Sequence, residues 1–126
     1  MRRERLGILL LSGEHNRAHY AFVLASGAAA LGREVVLFAT NGGCHALLAD
    51  WSRLEDASRD VRIQVRGVGG LDALREAASE LGVRLIVCEA GLRAEGLEGA
   101  RLLQGVEIGG IATFLDAVGE GKLISL

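Results

Sequence analysis

Four short apolar runs constrain the fold of this chain more than any other feature of its sequence. The runs cover residues 6–11, 35–39, 85–88 and 123–126. Apolar and polar residues do not alternate within them, as they would in strands that have one face in water. Continuous apolar runs of this length are typical of strands that are covered on both faces of a parallel sheet. The runs therefore predict a sheet with helices packed against each side.

Helical periodicity fills the segments between the apolar runs. Apolar residues recur at intervals of three and four in the segments 21–31, 71–81 and 111–118, which predicts three helices. A glycine follows each pattern, in the pairs Leu31-Gly32, Leu81-Gly82 and Glu120-Gly121. Glycine commonly ends a helix because it adopts the left-handed conformation at little cost. The order strand, helix, glycine, strand predicts a layered α/β sheet with right-handed crossovers.

Two segments are less regular than the rest. Residues 51–70 are polar and charged, and an alternating island at 61–65 favours an edge strand or a flap, unless the whole segment is a solvated loop. Residues 91–107 fit a short helix followed by a short strand around 106–108. No inter-domain linker is evident, and 126 residues is an ordinary length for one domain. A single α/β domain over residues 1–126 is therefore expected.

Charge and composition exclude several classes of function. The net charge is −2, from 14 Lys and Arg against 16 Asp and Glu, so no basic surface for nucleic acid or an anionic membrane is expected. Residues 1–5 followed by the apolar run 6–11 imitate a signal peptide but lead into a polar segment without a cleavage site. No apolar stretch approaches the ~20 residues of a membrane span. A cytoplasmic protein with reduced thiols is expected.

The carboxyl ends of parallel strands share one edge of a sheet, and ligands bind at that edge. The segments 12–16, 40–45 and 88–91 should meet there, and they carry both cysteines and two of the three histidines. The residues expected to line this edge are Glu14, His15, Asn41, Gly42, Gly43, Cys44, Cys88, Glu89, Ala90 and Gly91. Gly109 and Gly110 are expected near it too, at a turn that needs a positive φ or a close backbone approach.

Nucleotide and metal motifs are incomplete in this sequence. The loop after the first strand holds the single glycine Gly13, and no lysine occurs in the first 120 residues, so neither a dinucleotide fingerprint nor a P-loop is present. The sequence Asn41-Gly42-Gly43 could still form a small anion-binding turn. His15 and His19 stand four residues apart, but no Cys-x-x-Cys or His-Glu-x-x-His motif accompanies them. No metal site is predicted.

Cys88 is the most specific candidate for chemistry. It ends a buried strand and begins the loop into a helix, and a helix N-terminus favours the thiolate form of a cysteine. The neighbouring carboxylate of Glu89 acts in the opposite direction by repelling a second negative charge. A cysteine at the end of an apolar strand also fits a small buried core residue. The residues alone leave both interpretations open.

Two longer segments resemble a known family. Residues 81–89 (Leu-Gly-Val-Arg-Leu-Ile-Val-Cys-Glu) and residues 105–115, with their Gly-Gly and Ala-Thr-Phe-Leu elements, are similar to segments of the DsrE/DsrF/TusD-like family of small sulfur-relay proteins. The resemblance covers most of the chain and is weakest over 51–70. It implies a three-layer, flavodoxin-like α/β fold with about five mostly parallel strands and helices on both faces. It also implies trimers or hexamers, and a persulfide carried by Cys88. The family branch with a Cys-acid pair continues Met-Ser, whereas Ala90-Gly91 follows here.

The leading hypothesis is a sulfur carrier in which the Cys88 thiolate takes a sulfur atom from a donor persulfide and yields it to an acceptor thiol. No cofactor is needed. The family topology would place the Cys88 strand beside the first strand, so that His15 and the amides of Ala90 and Gly91 could stabilise the thiolate. Cys44 is either a resolving thiol or a structural residue.

Two other functions remain open from the sequence. The first helix carries alanines and leucines on two sides, which predicts an exposed apolar patch and a homo-oligomer. The chain would then fit a non-catalytic interaction subunit as well as a carrier. A small-ligand or nucleotide binder using Asn41-Gly42-Gly43 is the other alternative.

Overall fold

The fold is built on a five-stranded parallel sheet. A computed structural model describes residues 4–126, so the first three residues of the segment that imitates a signal peptide lie outside the described part. The strands are β1 (Leu6–Leu10), β2 (Val35–Ala39), β3 (Arg84–Cys88), β4 (Glu107–Gly109) and β5 (Lys122–Ser125). They lie in the order β4-β3-β2-β1-β5, and every neighbouring pair is parallel. The predicted α/β fold is confirmed.

Helices connect the strands. They are α1 (His15–Ala30), a 3₁₀ helix (Asn41–Leu47), α2 (Arg59–Val65), α3 (Leu71–Glu80), α4 (Glu89–Ala94) and α5 (Ile111–Val118). Of these, α1, α3, α4 and α5 lie in the segments where helices are predicted. Gly32 and Gly82 follow α1 and α3 with φ of +87° and +79°, which confirms two of the predicted helix ends. The predicted end of the third helix at Gly121 is wrong, because α5 ends at Gly119 with φ +55°. Gly121 serves a different purpose: a β-carbon there would overlap the Arg5 carbonyl oxygen.

The handedness of the connections decides which face of the sheet each helix covers. The steps from β1 to β2, β3 and β4 run in one direction across the sheet, and the step from β4 to β5 runs back. Because crossovers between parallel strands are right-handed, the return step places its helix on the opposite face. Phe22, Leu71 and Leu92 from α1, α3 and α4 accordingly belong to one large core. Phe114 and Val118 from α5 belong to a smaller core on the other face.

Alternate residues of the central strands enter these two cores. Leu37, Leu85 and Val87 lie in the large core, whereas Phe38 and Ile86 lie in the small one with α5. Both faces of each strand are therefore covered with apolar side chains. This arrangement explains why the runs 6–11, 35–39 and 85–88 do not alternate with polar residues. The fourth run differs from the expectation, because the residues of β5 at the edge of the sheet are exposed in the protomer.

The segment 61–65 is the clearest correction to the sequence-based expectations. It belongs to helix α2 and is neither an edge strand, a flap nor a solvated loop. Val61 and Val65, whose alternation suggested a strand, are 65% and 83% exposed. The buried anchor of α2 is instead Asp60, which accepts a hydrogen bond from the Leu71 amide at 2.8 Å. A polar contact with a distant part of the chain leaves no trace in a hydrophobic pattern.

Candidate functional site

Cys88 lies at the ends of two neighbouring strands whose following helices pack on opposite faces of the sheet. β3 leads into α4 on the face of the large core, and β4 leads into α5 on the face of the small core. Cys88, the last residue of β3, pairs in register with Gly109, the last residue of β4. In open α/β sheets the diverging connections leave a crevice at such a point, outside the carboxyl ends of the strands. The topology of the chain therefore puts a thiol at the natural ligand position of the fold.

The local geometry around Cys88 provides a hydrogen-bond donor for its sulfur. Cys88 is half-buried, packs against the small core and occupies the N-cap position of α4. The Gly91 amide donates a hydrogen bond to the Cys88 Sγ atom at 3.3 Å. A thiolate is a stronger acceptor than a thiol, so this amide is placed to bond a charged sulfur formed during a reaction. The remaining exposure leaves the sulfur open to a reagent.

Glu89 opposes the thiolate less than its position in the sequence suggests. Its side chain is about 60% exposed and lies 3.3 Å from the Arg93 guanidinium, one helical turn along α4. Water and the arginine both screen the carboxylate. Ala90 is exposed in the first turn of the same helix.

The glycines of the 3₁₀ helix serve close packing between loops. A β-carbon on Gly42 would come 2.9 Å from the Gly13 nitrogen, and one on Gly43 would overlap the Leu10 carbonyl oxygen. Asn41, which begins the 3₁₀ helix, is exposed and has φ +50°. Backbone from the loop after β1 thus fills the space beside both glycines. This packing accounts for them without an anion-binding turn, which the sequence had left open.

Cys44 lies close to Cys88 but in a different environment. It is fully buried in the large core, and its thiol points toward the Ala39 carbonyl oxygen at 3.9 Å. Burial raises the pKa of the Cys44 thiol to about 12, and the nearby Cys88 and Glu95 add to the effect. At neutral pH the group is therefore a protonated thiol and a weak nucleophile.

His15 is held in a buried network of its own. Its Nε2 atom lies 2.7 Å from the Asp60 carboxylate, and Arg59 donates to its Nδ1 atom at 3.3 Å. A carboxylate only accepts and a guanidinium only donates, so these partners fix the neutral Nε2–H tautomer. The ring also stacks on His19 at 5.6 Å. Neither ring nitrogen is free to hold a thiolate.

The expected neighbourhood of the first and third strands is wrong. β2 lies between β1 and β3, so the loop that carries Glu14 and His15 is separated from Cys88 by one strand. Glu14 is exposed, and its carboxylate lies 3.6 Å from Arg17 of the same helical turn. The residues that do gather at the Cys88 end of the edge are Asn41, Cys44, Gly91 and Gly109.

Comparison with known families agrees with this geometry. The model of the DsrE/DsrF-like family matches residues 5–126. The chain belongs to the DsrE/DsrF-like family. It is 26% identical to a sulfur carrier protein, DsrE2, of Allochromatium vinosum over 155 aligned positions, which cover 98% of each chain. It is 27% identical to the uncharacterized protein YrkE of Bacillus subtilis, over 95% of this chain and 94% of that one.

Solved structures confirm the fold of this DsrE-like chain. The ychN protein of E. coli superposes with a TM-score of 0.67 at 15% identity, over 98% of this chain and all of that one. The protein MTH1491 of Methanobacterium thermoautotrophicum superposes with a TM-score of 0.59 at 22% identity, again over 98% of this chain and all of its own. At these identities the likeness concerns the fold alone.

Arg75 is a structural residue of the DsrE-like site that sequence reasoning missed. It is buried in α3, and its guanidinium donates hydrogen bonds to the carbonyls of Ala46, Leu48 and Ala49 at 3.1, 2.6 and 3.2 Å. These carbonyls end the 3₁₀ helix that carries Cys44. The signal was present in the sequence, because Arg75 stands four residues after Leu71 and three before Ala78 on the apolar side of the helical pattern.

The Gly109-Gly110 pair differs from its expected conformation. Gly110 is exposed with φ −110°, and no atom would lie within 4 Å of a β-carbon there. The expected positive φ is therefore wrong at Gly110. A β-carbon on Gly109 would come 3.2 Å from the Ile86 side chain, so the close approach exists at this residue.

Two negative observations apply to residues 4–126. No three His, Cys, Asp or Glu side chains converge there in a group that could hold a metal ion. No helix in this part of the chain is long and apolar enough to cross a membrane.

Proposed function

We propose that this DsrE-like protein carries sulfane sulfur as a persulfide on Cys88 and passes it to an acceptor protein. The observation that carries the proposal is the position of the Cys88 sulfur. It is partly buried at the carboxyl end of β3, in register with Gly109 of β4, and accepts a hydrogen bond from the Gly91 amide. Membership of the family and the likeness to a named sulfur carrier support it.

The proposed cycle has two balanced exchange steps. The Cys88 thiolate attacks the terminal sulfur of a donor persulfide, which breaks the donor S–S bond and releases the donor thiolate. An acceptor thiolate then attacks the terminal sulfur on Cys88, and Cys88 leaves as a thiolate. The Gly91 amide stabilises that anion at the start and at the end of the cycle. Neither step consumes an oxidant, a reductant or a cofactor, and a reducing cytoplasm suits both.

Cys44 stays outside this cycle. A protonated thiol with a pKa of about 12 presents a thiolate in on the order of one molecule in 10⁵ at pH 7. Cys44 also packs into the large core, whereas Cys88 packs against the small one. A persulfide on Cys88 is therefore kept for the acceptor and is not resolved into an internal disulfide.

Mass spectrometry of the intact protein tests the proposal. After incubation with a persulfide donor, the wild-type protein should gain the mass of one sulfur atom. Cys88→Ser should gain nothing while it keeps the wild-type melting temperature, and Cys44→Ser should load like the wild type. A wild-type protein that takes up no sulfur, or a Cys88→Ser variant that loads normally, would refute the role of Cys88.

The proposal includes assembly into a homo-oligomer, a trimer or a hexamer. Apolar side chains remain exposed on two surfaces of the protomer. One surface, formed by the end of α1 and by β5, carries Leu31, Leu123 and Ile124, and the other, formed by β4 and α5, carries Ile108, Ile111 and Leu115. Such patches are uncommon on monomers. Light scattering at micromolar concentration should give a multiple of the 13.3 kDa protomer mass, and a monomer would contradict this part.

These same apolar surfaces favour a second candidate function, a non-catalytic interaction subunit. In that case the assembly would form in the same way, but Cys88 would be a core residue. The loading experiment separates the two, because the subunit would neither gain sulfur nor react with an alkylating reagent at neutral pH.

A further inference from the structure

Gly91 occupies the tightest point of the contact between α4 and the 3₁₀ helix. It is buried in the first turn of α4, three residues after Cys88. A β-carbon on Gly91 would come 2.8 Å from the Thr40 Oγ1 atom, 3.1 Å from the Asn41 nitrogen and 3.1 Å from the Cys44 Sγ atom. The first of these distances is shorter than real β-carbons show, so a side chain at this position requires the Thr40 side chain to turn away or α4 to shift, and the contacts with Asn41 and Cys44 require a further small displacement.

The same residue supplies the hydrogen bond to the reacting sulfur. The Gly91 amide donates to the Cys88 Sγ atom at 3.3 Å, an ordinary distance for a hydrogen bond to sulfur, which is a larger atom than oxygen. A shift of a few tenths of an ångström in the first turn of α4 would weaken it. The seating of Gly91 and the charge state of Cys88 are therefore coupled through one short piece of backbone.

The 3₁₀ helix, against which Gly91 packs, is fixed by contacts on its other side. Arg75 fixes the end of the 3₁₀ helix through three carbonyls, and Gly43 sits directly on the Leu10 backbone at the end of β1. The 3₁₀ helix cannot retreat without breaking these contacts. A side chain at position 91 would therefore move α4, the shorter and more exposed element.

We propose that Gly91 is a positioning residue for Cys88: the absence of a side chain lets α4 seat on Thr40, Asn41 and Cys44 at the distance that keeps the Gly91 amide on the Cys88 sulfur. The inference rests on the proposed function, since it assigns a determinant of thiol reactivity to the same site. It explains why glycine stands two residues after the Cys-Glu pair in this chain, where a residue with a side chain would meet Thr40 and Cys44.

The test compares Gly91→Ala with a matched control, Gly27→Ala. Gly27 lies in α1, and no atom would lie within 4 Å of a β-carbon there. The readout is the alkylation rate of Cys88 by iodoacetamide, measured by peptide mapping from pH 6 to 9. In Gly91→Ala, Cys88 should react about tenfold more slowly at pH 7, which corresponds to the lower end of the free energy of a hydrogen bond to a charged group. The pH at which the rate rises should also be higher than in the wild type. Gly27→Ala should match the wild type.

A rescue variant distinguishes local contact from general damage. Thr40→Ala removes the atom that lies nearest to the added β-carbon, so the double variant Thr40→Ala/Gly91→Ala should recover most of the rate. An unchanged rate in Gly91→Ala overturns the inference, and so does a slow rate that the double variant fails to restore. If Gly91→Ala does not fold, folding of the double variant supports the inference and its failure to fold overturns it.

Alkylation does not depend on sulfur transfer, and this keeps the two proposals separable. A wild-type protein that alkylates readily but takes up no sulfur would refute the carrier function while leaving the role of Gly91 intact. Normal sulfur loading of the wild-type protein, together with an unchanged alkylation rate in Gly91→Ala, would support the carrier function and refute the role of Gly91.

Discussion

His15 and Cys88 both lie at the carboxyl edge of the same sheet, and both sit among other residues capable of chemistry. The cluster around His15 contains Asp60, Arg59 and His19, and the His15 ring and the Asp60 carboxylate are buried and hydrogen-bonded to protein. The Cys88 sulfur has one hydrogen bond, from Gly91, and its residue is only partly buried.

The difference shows how a structural cluster of polar residues can be distinguished from a reactive one in such a fold. The His15 cluster satisfies its own charges, so its hydrogen bonds hold α2 and α3 against α1. The Cys88 cluster leaves a polarisable atom with unused bonding capacity in an accessible place. The sequence predicts Cys88 as the reacting residue and His15 as its support, and the hydrogen-bonding positions left free on each side chain separate the two in the structure.

The largest expected effect separates the two clusters by stability. Asp60→Ala should lower the free energy of unfolding by about 3–5 kcal/mol, the usual loss when one partner of a buried pair is removed. Asp60 accepts hydrogen bonds from the His15 ring, the Leu71 amide and the Gln64 side chain, and all three would lose their partner. Urea denaturation measures the loss, with the exposed Asp116→Ala as the control.

The alkylation rate of Cys88 sharpens the same comparison. It should stay unchanged in Asp60→Ala under conditions in which the variant is folded. A rate that fell together with stability would break the comparison, because the two clusters would then act as one unit.

A smaller effect should appear at alkaline pH. The folded pKa of Cys44 is raised to about 12 from an ordinary value of 9.0, so its contribution to stability is complete below pH 9 and is lost as the pH rises from 9 toward 12. In Cys44→Ala the free energy of unfolding should fall less steeply with pH. The difference in slope between the two proteins should approach the value for release of one proton per molecule on unfolding. Urea denaturation from pH 8 to 10.5 under reducing conditions measures both slopes, and equal slopes would show that the thiol titrates normally.

The acid side of the stability profile belongs to the other cluster. Burial by itself raises the pKa of Asp60, but hydrogen bonds from His15 and the Leu71 amide outweigh it and hold that pKa below its ordinary value of 3.8. The stability from this group is therefore present above pH 3.8 and is lost as the pH falls through the lower, folded pKa. The two clusters limit the protein at opposite ends of the pH scale.

The smallest expected effect concerns two glycines near the Cys88 end of the sheet. Gly96 has φ +68°, which a valine adopts only with strain, whereas Gly110 has φ −110° and open space around it. Gly96→Val should destabilise the protein by about 1–2 kcal/mol, and Gly110→Val by about 0.5 kcal/mol, because valine is a poorer N-cap of α5 than glycine. Melting temperatures measure the difference, and equal or reversed losses would contradict the assigned backbone conformations.

Sequence patterns predicted the parts of this molecule that depend on local periodicity. The strands, the three longer helices and the placement of Cys88 at a strand end follow from apolar spacing and from the glycines at 32 and 82. The order of the strands does not, because nothing local to β3 specifies that β2 and not β1 lies beside it.

Buried polar contacts account for the rest of the missed features. Asp60 determines the conformation of 59–65 through Leu71, and Arg75 supports the 3₁₀ helix through Ala46 and Leu48. Each contact joins residues that lie 11 to 29 positions apart in the chain. In the sequence Asp60 looks like an ordinary surface charge, whereas Arg75 is marked only by its place on the apolar side of the helical pattern.

The pairing of β1 with β5 has a consequence for folding of the protein during its synthesis on the ribosome. β1 is the first strand to be synthesised, yet Leu6 of β1 pairs with Lys122 of β5, the last strand in the chain. β1 to β4 can associate in the order in which they emerge, but one edge of β1 stays open until nearly the whole chain has left the ribosomal tunnel. Contacts of such long sequence separation slow folding, and an open strand edge is prone to wrong pairing. The nascent chain therefore passes through a stage in which β1, an inner strand of the finished sheet, has an unpaired edge that is prone to wrong pairing.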